Sequence, residues 1–415
     1  MEIKNQDPFN DFLPELTIEI LSRLPFRTIL ITKRVCKSWR GLVESPLFAL
    51  LHSRRQAALS SARAPAIEFS KAHSLLGFID DNEVIHKPPK GSVLSHSFPN
   101  PYKPYIHSSV NGLLFMIDSK SELFISNPIT REYVRIEMGH ECCSTDYAFG
   151  FGVSRSGQYK IVRFYALQPN LRTCQVYNLG IGQWKSITVE RQLEFMSQMQ
   201  NVPPWVNGNL HWLILDLKGR KNPPMIYCLD LETELFNYFS CPPSIQNCER
   251  GFYYSISNLG GRLCFTNDES KDVFEIWCMK KYGDDKSWTK DYVIKRKPYM
   301  LIFRDILLNY FKFYDHYFGQ IPEFSTNDLY LDNPIIQEIL LYEHNMLYPV
   351  KAFEDGGVLL ALHPSARLFY YSNETKDIQQ IKKKRNYDDS NLVIHCPNFV
   401  SLKSLAMENT RVESF

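Results

Sequence analysis

The chain is 415 residues long, 44% hydrophobic and 13% aromatic, with a formal net charge of +2. That length can bury a large core, and one small module plus one large domain is the natural division. So small a net charge offers no field to gather nucleic acid or an anionic membrane, and both are excluded as partners.

At the N-terminus Asp7, Asp11, Glu15 and Glu19 replace the basic-then-apolar pattern of a secretion signal. The richest apolar stretch, Leu301 to Phe318, is broken by Arg304, Asp305, Lys312 and Asp315, so no membrane span is expected. None of the ten cysteines lies in a Cys-x-x-Cys pair, and reduced thiols in cytoplasm and/or nucleus follow.

In chain order, the first elements are helical. Ile18, Leu21 and Leu24 recur at helical spacing between Pro14, which can begin a helix, and Pro25, which must end one. Thr28 to Thr32 leaves room for a short second helix around Leu30. Val35, Cys36, Trp39, Leu42 and Val43 form another stripe, and Ser45-Pro46 reads as an N-cap with proline at the first helical position. A helical piece of about 40 residues is too small to sustain its own core, so the rest of the chain or a partner must cover these faces.

Leu13-Pro14, Leu24-Pro25 and Val35-Cys36-Lys37-Ser38-Trp39-Arg40 stand in the order and spacing of an F-box, which residues 7–51 resemble. The resemblance favours a partner. It implies docking on the Skp-type adaptor of a cullin-RING ubiquitin ligase through Leu13, Pro14, Ile18, Leu21, Leu24, Pro25, Leu30, Val35, Cys36, Trp39 and Leu42. Helix packing into a partner's groove is the expected mode, with Trp39 as an anchor.

Residues 52–104 read as a helix and a Pro-rich linker. Ala62-Arg63-Ala64-Pro65 stops the helix, and prolines at 88, 89, 99, 101 and 104 favour extended or irregular chain.

From residue 105 a phrase recurs. Val110-Asn111-Gly112-Leu113-Leu114 returns as Val206-Asn207-Gly208-Asn209-Leu210, Leu259-Gly260-Gly261-Arg262-Leu263 and Asp355-Gly356-Gly357-Val358-Leu359. The glycines 112, 208, 261 and 357 are 96, 53 and 96 residues apart. A second marker, at Asn127-Pro128-Ile129-Thr130, Asn178-Leu179-Gly180, Asp230-Leu231-Glu232-Thr233 and Asn373-Glu374-Thr375, agrees on a period of about 50. Between the markers lie short runs such as Leu113–Ile117 and Tyr159–Tyr165, rich in branched and aromatic residues. About 50 residues make a four-stranded sheet, and five or six such sheets predict a β-propeller. The fold class is therefore mainly β with a small all-α N-terminal module, the β part a divergent kelch-like propeller over residues 105–405. Leu392 to Leu405 has strand character and is expected to pair beside early strands and close the ring, leaving residues 406–415 as a C-terminal tail.

Asn111-Gly112-Leu113-Leu114, Asn127-Pro128-Ile129-Thr130-Arg131-Glu132, Phe149-Gly150-Phe151-Gly152, Tyr159-Lys160-Ile161-Val162 and Val206-Asn207-Gly208-Asn209-Leu210-His211-Trp212 resemble the F-box-associated domain of plant F-box proteins, close to its kelch-type members. That resemblance implies a non-catalytic receptor that binds an unidentified target protein, with cullin and RING subunits reached through the adaptor. It implies no catalytic residue, no cofactor and no metal.

Local features are read beside that expectation. His211-Trp212 is assigned to core packing. His316, His344, His363 and His395 lack metal-ligand spacing. Asp284-Asp285 and Asp388-Asp389 are assigned to turns, and Lys382-Lys383-Lys384-Arg385 to a solvated loop. Residues 297–348 concentrate aromatics where the repeat fades, and Tyr310, Phe313, Tyr314 and Tyr317 are the candidate target-binding residues. Three other readings stay open: a propeller enzyme, an adaptor-binding scaffold or decoy that assembles no ligase, and an S-locus F-box protein recognising ribonucleases.

Overall fold

Proline and glycine punctuate the chain where the sequence places them. In the computed structural model the described residues are 13–24, 26–58, 66–70, 75–79, 85–86, 104–118, 120–138, 147–168, 171–189, 194–195, 202–215, 224–243, 245, 254–268, 270, 273–295, 347–362, 367–381, 390–395, 397–406 and 410–414. Four helices come first: α1 (Pro14–Leu21), α2 (Phe26–Thr32), α3 (Lys37–Val43) and α4 (Pro46–Ala58). Pro14 occupies the first turn of α1, and the Ser45 hydroxyl accepts the Phe48 amide at 3.2 Å to cap α4.

The first strands are β1 (Ala66–Ser70), β2 (Leu75–Ile79) and β3 (Ile85–His86). Next come β4 (Tyr105–Val110), β5 (Leu113–Ile117), β6 (Leu123–Asn127) and β7 (Glu132–Ile136), then β8 (Tyr147–Val153), β9 (Tyr159–Gln168), β10 (Leu171–Asn178) and β11 (Gln183–Ile187). The third group is β12 (Glu194–Phe195), β13 (Trp205–Val206), β14 (Asn209–Leu215), β15 (Met225–Asp230) and β16 (Phe236–Ser240). It is followed by β17 (Tyr254–Leu259), β18 (Arg262–Asn267), β19 (Val273–Met279) and β20 (Trp288–Lys295). Last are β21 (Leu347–Ala352), β22 (Val358–Leu362), β23 (Arg367–Tyr371), β24 (Ile378–Gln380), β25 (Ser390–Ile394) and β26 (Val412–Ser414).

Of five antiparallel sheets of propeller-blade type, β8–β11, β17–β20 and β21–β24 use strands in chain order. The sheet β12-β14-β15-β16 adds β13 beside β14, and β4–β7 adds β26 beside β7; a sixth has the order β25-β1-β2-β3. The pairing expected of the C-terminal segment is present in part: β25 pairs with β1, Ala66 facing Ile394 and Ser70 facing Ser390, while 397–405 hold no strand. Two expectations change. Residues 66–86, read within a linker, carry three strands, and the tail carries β26, which pairs with β7. β1, β2 and β3 pair with their chain neighbours, but the second partner of β1 is β25 and the partner of β26 is β7, each more than 250 residues away and beyond any periodicity argument.

The repeat phrase is the first hairpin of a sheet. Asn111 and Gly112, Asn207 and Gly208, and Gly260 and Gly261 all have positive φ, as a two-residue turn matched to strand twist requires. In the fourth copy Gly357 is needed for space: a Cβ there would run into the Tyr370 hydroxyl, which donates to Asp355. The second marker is the last hairpin of a sheet. Asn127 Oδ1 accepts the Ile129 amide at 2.9 Å, Asn178 Oδ1 the Gly180 amide at 2.9 Å and Asp230 Oδ1 the Glu232 amide at 2.8 Å.

The chain divides into two compact units. The first holds the helices and the sheets built on β1–β11, β25 and β26; between its β4–β7 and β8–β11 sheets His107 and Phe149 meet Phe115 edge to face, and Phe151 packs tilted on Phe115 and stacked on Tyr159. The second holds β12–β24, where Val206, Ile226, Tyr254 and Phe265 join one pair of sheets and Phe274, Ile276, Val358 and Leu360 another. Middle strands such as β5, β6 and β22 are buried at every residue, whereas β11 and β16 bury none, which is why the former read as apolar runs and the latter as mixed ones.

One expectation about the cysteines fails. Cys264 and Cys278 face each other on β18 and β19 with Cα atoms 4.2 Å apart and are joined as a disulfide, because a direct cross-strand pair brings the two sulfurs together. Cys36 and Cys228 are not joined in a disulfide.

Candidate functional site

The helical module has two apolar sides. Ile18 and Leu21 on α1 pack with Ile29, Val43, Phe48 and Ala49, and this core also takes in Ile129 from the β6–β7 turn and Phe399. Ile18 is 6% and Leu21 1% exposed, so both lie on the inner side of the module. In the chain by itself this stripe is covered from within, since a piece this small borrows core from the sheets beside it.

Docking residues sort by exposure. Leu13, Pro14 and Val35 are exposed; Leu24, Leu30, Cys36, Trp39 and Leu42 are half-buried; Pro25 lies outside the described residues. Cys36 also caps α3, its Sγ accepting the Trp39 amide at 3.4 Å, while Trp39, Leu24, Leu30 and Leu42 pack their inner sides on the core. The sequence reading missed Leu16, Ile20, Ile31, Leu47 and Leu50, which are all exposed. Seven of the twelve exposed large apolar side chains among the described residues fall between Leu13 and Leu50. A signal for them existed. Leu13, Leu16 and Ile20 follow helical spacing on α1 independently of Ile18 and Leu21, so this helix is apolar around most of its circumference.

Polar contacts tie α1 to α4. Arg55 Nη1 donates to the Glu19 carbonyl oxygen at 2.9 Å and to the Ser22 hydroxyl, and Arg55 pairs with the Glu19 carboxylate. Arg55 and then Arg23 hold that carboxylate below its usual range. His52, fully buried on α4, is pushed down to about 4 by burial and then by the Arg55 charge, so it packs as a neutral ring against Phe48 and Phe399.

On the β side, Tyr310, Phe313, Tyr314 and Tyr317 lie outside the described residues, as do Lys382–Arg385, Asp388-Asp389, His316, His344 and His363. His211 is buried: its ring lies 2.9 Å from the Tyr282 hydroxyl through Nε2 and 3.1 Å from the Pro204 carbonyl oxygen through Nδ1. Burial lowers it to about 4. Together with buried Trp212 it is core, as its strand position implied. His395 is buried beside the Ser109 hydroxyl at 2.8 Å. Asp284 accepts the Lys286 amide at 3.1 Å, closing the turn expected there. Among the described residues no group of three or more His, Cys, Asp or Glu is placed to hold a metal ion, and no helix is long and apolar enough to cross a membrane.

Comparison with known proteins agrees with this layout. Residues 10–50 match the F-box domain family, and residues 77–315 match the F-box associated beta propeller domain family. Similar proteins of Arabidopsis thaliana include F-box/kelch-repeat protein At3g23880, 25% identical over 296 residues that cover 66% of this chain and 77% of that protein. F-box protein At5g10340 is 27% identical over 334 residues, 70% of this chain and 71% of that protein. F-box/LRR-repeat protein At2g43260 is 25% identical over 309 residues, 68% of this chain and 67% of that protein. With the propeller match spanning more than half of the sequence behind a matching helical module, the chain belongs to the F-box proteins that carry an F-box associated beta propeller domain.

Proposed function

We propose that the protein is the substrate-recognition subunit of an SCF-type ubiquitin ligase, the role that an F-box joined to a propeller fits in general. The module docks on a Skp-type adaptor, which brings cullin and RING subunits, and the propeller binds a target protein. The receptor binds and orients; bond making takes place on the other subunits, so the chain itself is not an enzyme. Such a complex works in cytoplasm or nucleus.

One observation carries this reading: Leu13, Leu16, Ile20, Ile31, Val35, Leu47 and Leu50 stay exposed although the module's inner face is already filled. Apolar side chains concentrated this way on a helical surface mark a protein interface. Leu13 and Pro14, with Val35, are the matched motif positions that lie on this outer side.

Affinity purification of the full chain tests it. Adaptor and cullin copurify with the native protein and are lost from an Ile20→Asp, Ile31→Asp variant whose fold is intact. Adaptor retained by that variant sinks the docking face, and adaptor without cullin turns the reading into a scaffold.

A further inference from the structure

One hairpin turn is built differently from its equivalents. Asn127, Asn178 and Asp230 all use Oδ1 to close the last turn of their sheets. Asn178 then directs its Nδ2 to Gln158 of its own sheet at 3.0 Å, and Asp230 has no such donor. Asn127 instead donates from Nδ2 to Asn398 Oδ1 at 2.8 Å and to the Val400 carbonyl oxygen at 2.7 Å. At the end of the same turn Glu132 accepts the Ser401 hydroxyl at 2.8 Å and the Leu402 amide at 2.7 Å. Asn398 in turn donates to the Asn111 carbonyl oxygen, beside the first hairpin of that sheet. The segment 398–402 is thus fastened to two hairpins at one end of the sheet by side chains suited to receive it.

The other side of this segment faces the helices. Phe399 lies edge-on to Phe48 at 5.4 Å and to His52 at 5.1 Å, and Ile129, from the same turn that holds Asn398, enters the helical core with it. Val400 packs on that core from its edge. Asn398 thus serves the sheet while Phe399 serves the helices.

We infer that residues 398–402 and the Asn127–Glu132 turn form a rigid joint that fixes the orientation of the helical module on the β4–β7 sheet. These are positioning residues, since they act through the helices and the sheet that they join. Resting on the proposed function, the joint presents a target bound to the sheets at a set orientation to the docked adaptor. A tether of chain alone would leave that orientation free. Burying Phe48, Phe399 and Ile129 in a shared core removes the freedom, because interdigitated side chains pack in discrete arrangements.

The test uses the full chain without adaptor, so its outcome is independent of docking. Spin labels carried by unnatural amino acids at exposed Ser38 on α3 and Gln183 on β11 report the distance between module and sheets. The native chain gives one narrow distance distribution. Phe399→Ala broadens it at least twofold and speeds amide exchange in α4 at least tenfold, while β5 and β6 keep native protection; Phe399→Leu restores the narrow distribution. Asn127→Asp keeps the turn acceptor but sets a carboxylate against two oxygens, and it broadens the distribution likewise. A native distribution that is already broad, or one unchanged by both variants, overturns the joint. So does loss of β5 and β6 protection in both, since the segment would then be an inseparable part of the sheet core. If the native chain instead fails to bind adaptor, the docking reading falls and the joint stands.

Discussion

The helical module and the middle strands of the sheets handle apolar side chains in opposite ways. Strands β5, β6 and β22 bury every residue, and their apolar runs end inside the molecule. The module buries one side, leaving Leu13, Leu16, Ile20, Ile31, Val35, Leu47 and Leu50 exposed within 38 residues. Sheets that pack face to face consume both surfaces of their central strands, whereas a few short helices on one turn and one extended segment have a second side that nothing in their core reaches. Apolar content alone therefore separates neither case. The side on which it lies decides whether the chain or a partner receives it.

Substitutions at the shared core test the inner side most severely. Phe399→Ala should cost about 3–5 kcal/mol in the cooperative unfolding of the module, read by denaturant titration with amide exchange. A loss below about 1 kcal/mol would show that the helices stand without the segment. Acid should act on the same buried groups. Burial lowers His52 and His211 to about 4 and His395 to about 3, against about 6.5 in the unfolded chain. The unfolded state then binds more protons below that value, so stability is complete above about pH 6.5 and falls through about pH 4, by about 1.4 kcal/mol per unit of each shift. Thermal unfolding across this range checks the sign, and His52→Phe should flatten the part that belongs to the module.

The outer side should respond in the reverse way. Leu16→Ala and Ile20→Ala are expected to weaken adaptor binding by about 2 kcal/mol together while changing folding stability by less than about 0.5 kcal/mol. A calorimetric titration beside a melting curve separates the two, and a drop in stability without a drop in binding would return these residues to the core. The smallest effect belongs to an ordinary turn. Asp230→Ala removes one side-chain acceptor from the β15–β16 hairpin and should cost about 1 kcal/mol, less than Asn127→Ala, which also releases Asn398 and Val400.

The hairpins were legible because their chemistry is local. Asn111-Gly112, Asn207-Gly208 and Gly260-Gly261 meet a demand for positive φ that few residues satisfy, and Asn127, Asn178 and Asp230 close turns on amides two residues ahead. The docking motif was legible in outline, through Leu13-Pro14 and the Val35 to Arg40 phrase. Its orientation was not. Helical spacing shows that Ile18 and Leu21 share a stripe with Leu24, but a helix apolar on several sides carries no mark of which side turns inward. The candidate target face at Tyr310, Phe313, Tyr314 and Tyr317 falls outside the described residues.

What the amino-acid order determined by itself is what near neighbours enforce: where helices start and stop, where hairpins turn, and that sheets of about 50 residues repeat behind a helical module. Only the tertiary structure decided the long-range pairings. These include β25 on β1, β26 on β7, Cys264 opposite Cys278, and Phe399 and Ile129 in the helical core. Such contacts depend on closing long loops and on volumes that fit once the elements meet, and no stretch of residues encodes either locally.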